Sequence, residues 1–261
     1  MKPLAELQKA IDKILESKWD RRDGQCVPDP EDLKHANDAV DLEATVLYAD
    51  IADSTGLVQG YKDWFAAEIY KSYLLVASEL IKNNGGTITA FDGDRVMGIF
   101  LGSQKNTAAT KCALQINYMV SKEITPRVIA GYPDTSFRLN HAVGIDTSKI
   151  MATRTGVWGS NDVVWVGRAA NYAAKLCTIR EGNHKTFISS EVYSRLLDTS
   201  KYGGDPKANM WTKFTWEEFG TIAYKSSWRW KPSWRKPSGP KCKTAIRSRS
   251  TTSLNCQNWR S

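Results

Sequence analysis

The chain has 261 residues, 41% of them hydrophobic and 10% aromatic, enough for one large domain or one medium domain with extensions. Its net charge of +8 is unevenly placed: residues 225–261 hold 10 of the 36 basic residues and no acid, leaving 26 basic against 28 acidic residues in 1–224. That excludes nucleic-acid binding argued from the overall charge, and no apolar run approaches the roughly 18 residues of a membrane span.

The N-terminus lacks a charged-then-apolar leader, because Leu4, Ile11, Ile14 and Leu15 are spread among charges. The five cysteines, Cys26, Cys112, Cys177, Cys242 and Cys256, are odd in number and contain no C-x-x-C pair. Together these features point to a reducing cytoplasm and against a zinc site or a disulfide framework.

In chain order, residues 3–19 form a helix candidate. Leu4, Leu7, Ile11, Ile14 and Leu15 recur at helical spacing and predict packing on the body or on a partner helix. Residues 20–42 are polar, broken by Gly24, Pro28 and Pro30, and read as an arm. A buried strand follows at 44–49 and ends in Asp50 and Asp53. A carboxylate at the end of a buried strand is costly without a positive partner, which a helix N-terminus, a basic side chain or a metal ion can supply.

Residues 64–82 read as an amphipathic helix closed by Asn83-Asn84-Gly85-Gly86. A hairpin follows, with strands 86–91 and 95–101 around the turn Asp92-Gly93-Asp94. If the first strand pairs with it, Asp94 comes beside Asp50. Two converging carboxylates suit a divalent cation. Taken singly, Asp-Gly turns are common, and Asp53 before Ser54 and Thr55 fits a helix cap.

Further predictions are a helix at 106–122, strands at 137–145 and 150–157, and a small-residue helix at 167–178. The last places Asn171 and Lys175 on one face. A strand at 187–190, a helix at 191–197 and a hairpin at 214–224 complete the body. The order predicts an α+β fold with a mostly antiparallel sheet and helices on one face. The domains are then an N-terminal helix and arm (1–42), a central domain (43–224) and a basic, Trp-containing disordered tail (225–261).

Three stretches together resemble the class III nucleotidyl cyclases. They are Leu-Tyr-Ala-Asp-Ile-Ala-Asp-Ser-Thr at 47–55, Phe-Asp-Gly-Asp-Arg-Val-Met-Gly-Ile-Phe at 91–100, and Val-Trp-Val-Gly-Arg-Ala-Ala-Asn-Tyr-Ala-Ala-Lys-Leu at 164–176. The resemblance covers roughly 43–224. It implies a palm-like, ferredoxin-related sheet in a homodimer, with active sites at the subunit interface. It also implies two Mn²⁺ or Mg²⁺ ions held by Asp50, Asp94 and the Ile51 carbonyl. Asn171 then orients the ribose from the other subunit. Lys175 stands where the family has a transition-state arginine and lacks its bidentate fork. Residues Ala52, Asp53, Ser54 and Thr55 open a helix and are candidate triphosphate contacts.

Departures from the family bear on the base. Ala90 stands where purine-specific members carry lysine, and Val164 where they carry aspartate or cysteine. A site that selects by hydrogen bonds loses selectivity with its partners, which disfavours ATP and GTP. Tyr48, two residues before Asp50 on a strand, and Arg95, directly after Asp94, are large groups that a smaller pyrimidine accommodates. Structurally, Tyr48 also fits sheet core and Arg95 a pair with Asp92.

These features resemble the pyrimidine cyclases of Pycsar anti-phage systems. The resemblance implies UTP as substrate, cyclic UMP as a second messenger, and a separate effector. CTP or broad pyrimidine use, and an inactive nucleotide-binding regulator, are the alternatives. His35, His141 and His184 are too scattered for a catalytic or metal constellation. Nucleic acid is not required; the tail's four tryptophans among basic residues allow stacking on it or on a membrane surface.

Overall fold

The computed structural model describes residues 3–157 and 160–234. Helix α1 (Leu4–Glu16) leads to strand β1 (Asp20–Asp23), which pairs in parallel with the start of β2 (Asp38–Ile51). Helices α2 (Ser54–Gly60) and α3 (Asp63–Asn83) precede the hairpin β3 (Thr87–Asp92) and β4 (Arg95–Phe100). Next come α4 (Lys105–Met119), one π-helical turn (Val120–Ile124) and α5 (Thr125–Gly131). The long strand β5 (His141–Val157) folds back as β6 (Ser160–Val166) and leads into α6 (Arg168–Leu176). The rest comprises β7 (Thr186–Ser189), α7 (Ser190–Ser194), α8 (Asp198–Lys201), the short pair β8 (Tyr202–Gly203) and β9 (Ala208–Asn209), and the hairpin β10 (Thr212–Trp216) and β11 (Thr221–Ser226).

The main sheet runs β10-β11-β7-β5-β2-β4-β3, with β1 and β6 attached to β2 and β5. It is antiparallel except at β1–β2 and β5–β7, as the sequence predicts. The residues expected to form two strands, 137–145 and 150–157, are instead one strand with no break between them, and 137–140 lie outside it. Such length follows from pairing: β5 carries β2 along thirteen registered positions and β6 at its far end.

Strand β2 alternates in the manner of a strand buried on both faces. Leu47, Ala49 and Ile51 pack with α3 and α4 residues such as Phe65, Ile69, Leu80 and Ile116. Leu42, Ala44 and Val46 pack with Met97, Ile99 and the alanines Ala169, Ala170 and Ala173 of α6. Helices thus cover both faces rather than one. The difference lies in α6, whose small side chains let it sit close on the sheet. Gly144 of β5 permits that approach: a Cβ there would lie 2.2 Å from the Ala173 carbonyl oxygen and 2.3 Å from the Cys177 nitrogen.

The two ends of the arm at 20–42 join the sheet, where 20–23 pair in parallel with 38–41, Arg22 meets the buried Asp38 and Arg21 meets Asp41. Helix α1 has no buried residue. Asn37 holds its C-terminal end through the carbonyls of Ile14 and Ser17, so its apolar stripe does not pack on this body. At the other terminus the expected boundary at 225 falls inside the fold. β11 runs to Ser226, Trp228 and Trp230 pack on the core, and the Trp230 amide donates to the Leu114 carbonyl. The disordered tail expected from 225 is therefore not found over 225–234; its remainder, 235–261, lies outside the described residues. Cys112 and Cys177 are free and buried.

Because the groups that a Gly144 side chain would meet are backbone, they cannot rotate away. Gly144→Ala is expected to destabilise the protein by about 1–3 kcal/mol, as overpacking does, read as a lower urea midpoint. Unchanged stability would show that α6 can shift freely.

Candidate active site

The site forms where β2 ends. Register pairs Asp50 with Arg95 on β4 and with Ala142 on β5, so Tyr48, Asp50, Met97 and Arg95 project on the face that α6 covers. The β3–β4 loop is two residues long, with Gly93 first at φ 59°, which suits a tight hairpin. That loop sets Asp94 immediately before Arg95 and hence next to Asp50. The expected convergence of the two carboxylates is present.

Its electrostatics are strained in the way a cation site is. Burial pushes the Asp50 carboxyl above the usual range, and the neighbouring charge of Asp94 raises it further. Asp94 Oδ2 is buried without a hydrogen-bond partner among the described residues. The two carboxylates thus offer oxygen donors, one of them without a partner, at the end of β2. Hard divalent cations such as Mg²⁺ bind in this way, through one or two carboxylates completed by substrate phosphates and water. No cluster of three or more His, Cys, Asp or Glu residues exists among the described residues, so a softer-metal cage is not offered.

Two residues that the sequence did not signal stand against this pair. Arg180 Nη2 donates to Asp50 Oδ2 at 3.2 Å, and its Nη1 to the Cys177 carbonyl at 2.6 Å. The Cys177 thiol lies near Asp50 and Arg95, and burial pushes it up to about 12, so it stays protonated. Both follow the C-terminal end of α6. A separation of 130 residues from Asp50 leaves no local signal by which to find them. Tyr73, fully buried on α3, reaches the Asp50 carbonyl oxygen at 3.4 Å.

Arg95 pairs with Asp92 at 2.6 Å, and its guanidinium lies 5.4 Å from the Tyr48 ring centroid. Both structural readings of these residues thus hold, and they still put a phenol and a guanidinium beside the carboxylate pair. Ala90 opposes Met97, and Val164 lies on β6, 40% exposed.

The predicted phosphate turn is formed but not uniformly free. Asp53 adopts a left-handed conformation and accepts the Gly56 amide at 3.2 Å, capping α2. The Ala52 amide is already given to the Asn140 carbonyl, which removes it as a phosphate donor. Ser54 and Thr55 open α2, where first-turn amides have no intrahelical acceptor.

Asn171 and Lys175 do not join the group. Both lie on the exposed side of α6, and Lys175 pairs with Glu218 at 2.8 Å. Within one chain the carboxylate pair and the Asn171–Lys175 face stand apart.

His141 begins β5, is 2% exposed, and has no hydrogen bond to either ring nitrogen among the described residues. Burial, with the charges of Lys185 and Arg180, lowers its pKa to about 3. The unfolded chain takes up a proton below roughly pH 6.5 that the folded chain refuses, so stability falls by about 1.4 kcal/mol per pH unit there. His141→Leu removes this slope. Urea titrations at about pH 7 and about pH 5 are expected to show a smaller acid loss in the variant, and equal losses would refute the assignment.

No family model matches the chain. It is 43% identical over 228 residues to a uridylate cyclase of Xanthomonas perforans, covering 87% of this chain and 97% of that one. A uridylate cyclase of Burkholderia cepacia is 45% identical over 227 residues, with 86% and 97% covered. One from Rhodovulum sp. is 38% identical over 237 residues, with 89% and 97% covered. Among solved structures, the guanylyl cyclase Cya2 superposes with a TM-score of 0.61 at 18% identity, over 74% of this chain and 95% of that chain. The adenylyl cyclase CyaB from P. aeruginosa gives 0.59 at 22% identity, over 77% and 99%. The chain therefore belongs to the uridylate cyclases, a group of nucleotidyl cyclases with the class III fold.

Proposed function

We propose that the protein converts UTP to 3′,5′-cyclic UMP and pyrophosphate. The carrying observation is the meeting of Asp50 with Asp94, whose buried Oδ2 has no partner. In the reaction the ribose 3′-oxygen bonds to the α-phosphorus. The α–β bridging bond breaks, pyrophosphate leaves with that electron pair, and the hydroxyl proton passes to solvent. Two Mn²⁺ or Mg²⁺ ions held there would acidify the 3′-hydroxyl and neutralise the leaving pyrophosphate. Asp50, Asp94 and the Ile51 carbonyl hold the cations, and Asp53, Ser54 and Thr55 line the triphosphate.

Asn171 and Lys175 act from a second copy of the chain in a homodimer. The support is their exposed position on α6, apart from the carboxylates. Asn171 orients the ribose, and Lys175, released from Glu218, places charge on the α-phosphate.

Tyr48 and Arg95 face the base. A guanidinium donates to uracil O4 or O2, whereas cytosine presents an amine donor at C4. The Asp92 pair holds the Arg95 head in place for that contact. Ala90 opposes Met97 beside Tyr48, whereas Val164, opposite Thr153 on β5, lies far from them in the same chain and would face the base from the second copy; neither offers a purine-selecting partner. The names of the relatives favour the same base. The product serves as a diffusible second messenger in antiviral defence, read by a separate effector. No helix among the described residues is long and apolar enough to cross a membrane, which is compatible with a cytoplasmic site of action.

Asp50→Ala and Asp94→Ala are each expected to abolish cyclic-product formation with little change in circular dichroism; retained turnover in either would remove the cation assignment. Mixing Asp50→Ala with Asn171→Ala subunits is expected to restore about a quarter of wild-type activity at random pairing, since each mixed dimer carries one intact site. No recovery in a mixture shown to exchange subunits would contradict the shared site. Arg95→Gln is expected to reduce the UTP preference over CTP by about tenfold, the value of one charge-assisted hydrogen bond. A preserved ratio would place base selection elsewhere.

A further inference from the structure

The cationic groups around Asp50 are unevenly satisfied. Lys225 pairs with Glu181. Among the described residues Arg180 has Asp50 as its carboxylate partner and otherwise donates to backbone carbonyls. Lys185, at the start of β7, gives its ammonium to the amide oxygen of Asn140 at 2.6 Å rather than to a carboxylate. Burial lowers its pKa, and the positive charges of Arg180 and Arg229 lower it further, so the three cations crowd one another. Neither Lys185 nor Arg229 has a carboxylate partner among the described residues. The backbone carbonyl of Asn140 also receives the Ala52 amide, which ties this cluster to the turn at 52–55.

Arg180 keeps this carboxylate partner only while Asp50 is free to receive it. Filling the Asp50–Asp94 pair with divalent ions takes the carboxylate away and adds positive charge beside Arg180. The guanidinium then needs a different anion within its reach. A nucleotide's polyphosphate brings several negative charges to this same place, and a planar guanidinium matches a phosphate as well as it matches a carboxylate.

We propose that Arg180 is a transferable counter-charge. It holds Asp50 in the empty site and passes to the polyphosphate of the substrate, and then of the pyrophosphate product, once Asp50 binds a cation. Lys185 and Arg229 complete the anion cradle. The Cys177 carbonyl, bonded to Nη1, fixes one end of the guanidinium so that only its Nη2 side changes partner. The inference rests on Asp50 as a cation ligand and deepens that reading by naming what must leave it.

The test uses the full 261-residue chain and two binding measurements that need no turnover. Free Mn²⁺ is followed by electron paramagnetic resonance without nucleotide, and inorganic pyrophosphate is titrated calorimetrically into Mn²⁺-loaded protein. Arg180→Gln is expected to bind Mn²⁺ several-fold more tightly, because the competing guanidinium is gone. The same variant should bind pyrophosphate about tenfold more weakly, the cost of one charge-assisted hydrogen bond. Arg180→Lys should recover most of the pyrophosphate affinity, and Arg127→Gln, on α5, should change neither. Weakening of both ligands by Arg180→Gln would mark a merely structural arginine and overturn the proposal. So would unchanged pyrophosphate binding. Absence of Mn²⁺ binding in the wild-type chain would instead remove the carboxylate-pair reading, and the counter-charge role with it.

Discussion

Two carboxylates held side by side at the end of a buried strand are the constraint on which the rest of this molecule depends. Water would separate Asp50 from Asp94, and unfolding would remove their repulsion altogether. The fold keeps them together by backbone pairing that neither side chain controls: the β2–β4 register opposes Asp50 to Arg95, and a two-residue loop leaves Asp94 nowhere else to go. The conflict is relieved in part by Arg180 and left open at Asp94 Oδ2. A site that stores unsatisfied negative charge in this way is suited to a cation that arrives with its substrate.

The second constraint is how closely a helix can lie on the sheet. Gly144 and the alanines of α6 remove the side chains that would hold the two apart. That contact does two things at once. It brings the C-terminal end of α6, with Cys177 and then Arg180, down onto Asp50. It also turns Asn171 and Lys175 outward, where a second copy can use them. One helix thus serves its own site through its end and, in the proposed dimer, the neighbour's site through its exposed face.

Much of this was legible in the sequence because it is local. Strand alternation in β2, the Asp-Gly-Asp turn and the small-residue run of α6 are patterns of a few residues, and each formed where its pattern lies. The convergence of Asp50 and Asp94 was legible because a hairpin fixes one partner relative to its strand and only one pairing remained to be guessed. What escaped was either long in range or a matter of packing. Arg180 follows a helix end with nothing to link it to a residue 130 positions earlier. Asp146, Thr147, Ser148 and Lys149 interrupt the apolar alternation, so the sequence suggests two strands where the fold has the unbroken β5. In the fold Asp146 is buried against Arg168, and Thr147 hydrogen-bonds Thr45, so polar residues there belong to the core. Composition alone assigned 225–234 to a tail, yet Trp228 and Trp230 are large enough to dock such a segment on α4.

The central claim is that this carboxylate pair serves pyrimidine nucleotide cyclisation. Its most direct test is to incubate the purified chain with Mn²⁺ and each of the four ribonucleoside triphosphates and to identify products by mass. Cyclic UMP from UTP, with little product from ATP or GTP, is the predicted result. Cyclic AMP or cyclic GMP as the main product would keep the chemistry at Asp50 and Asp94 and contradict the base selection assigned to Tyr48, Arg95, Ala90 and Val164.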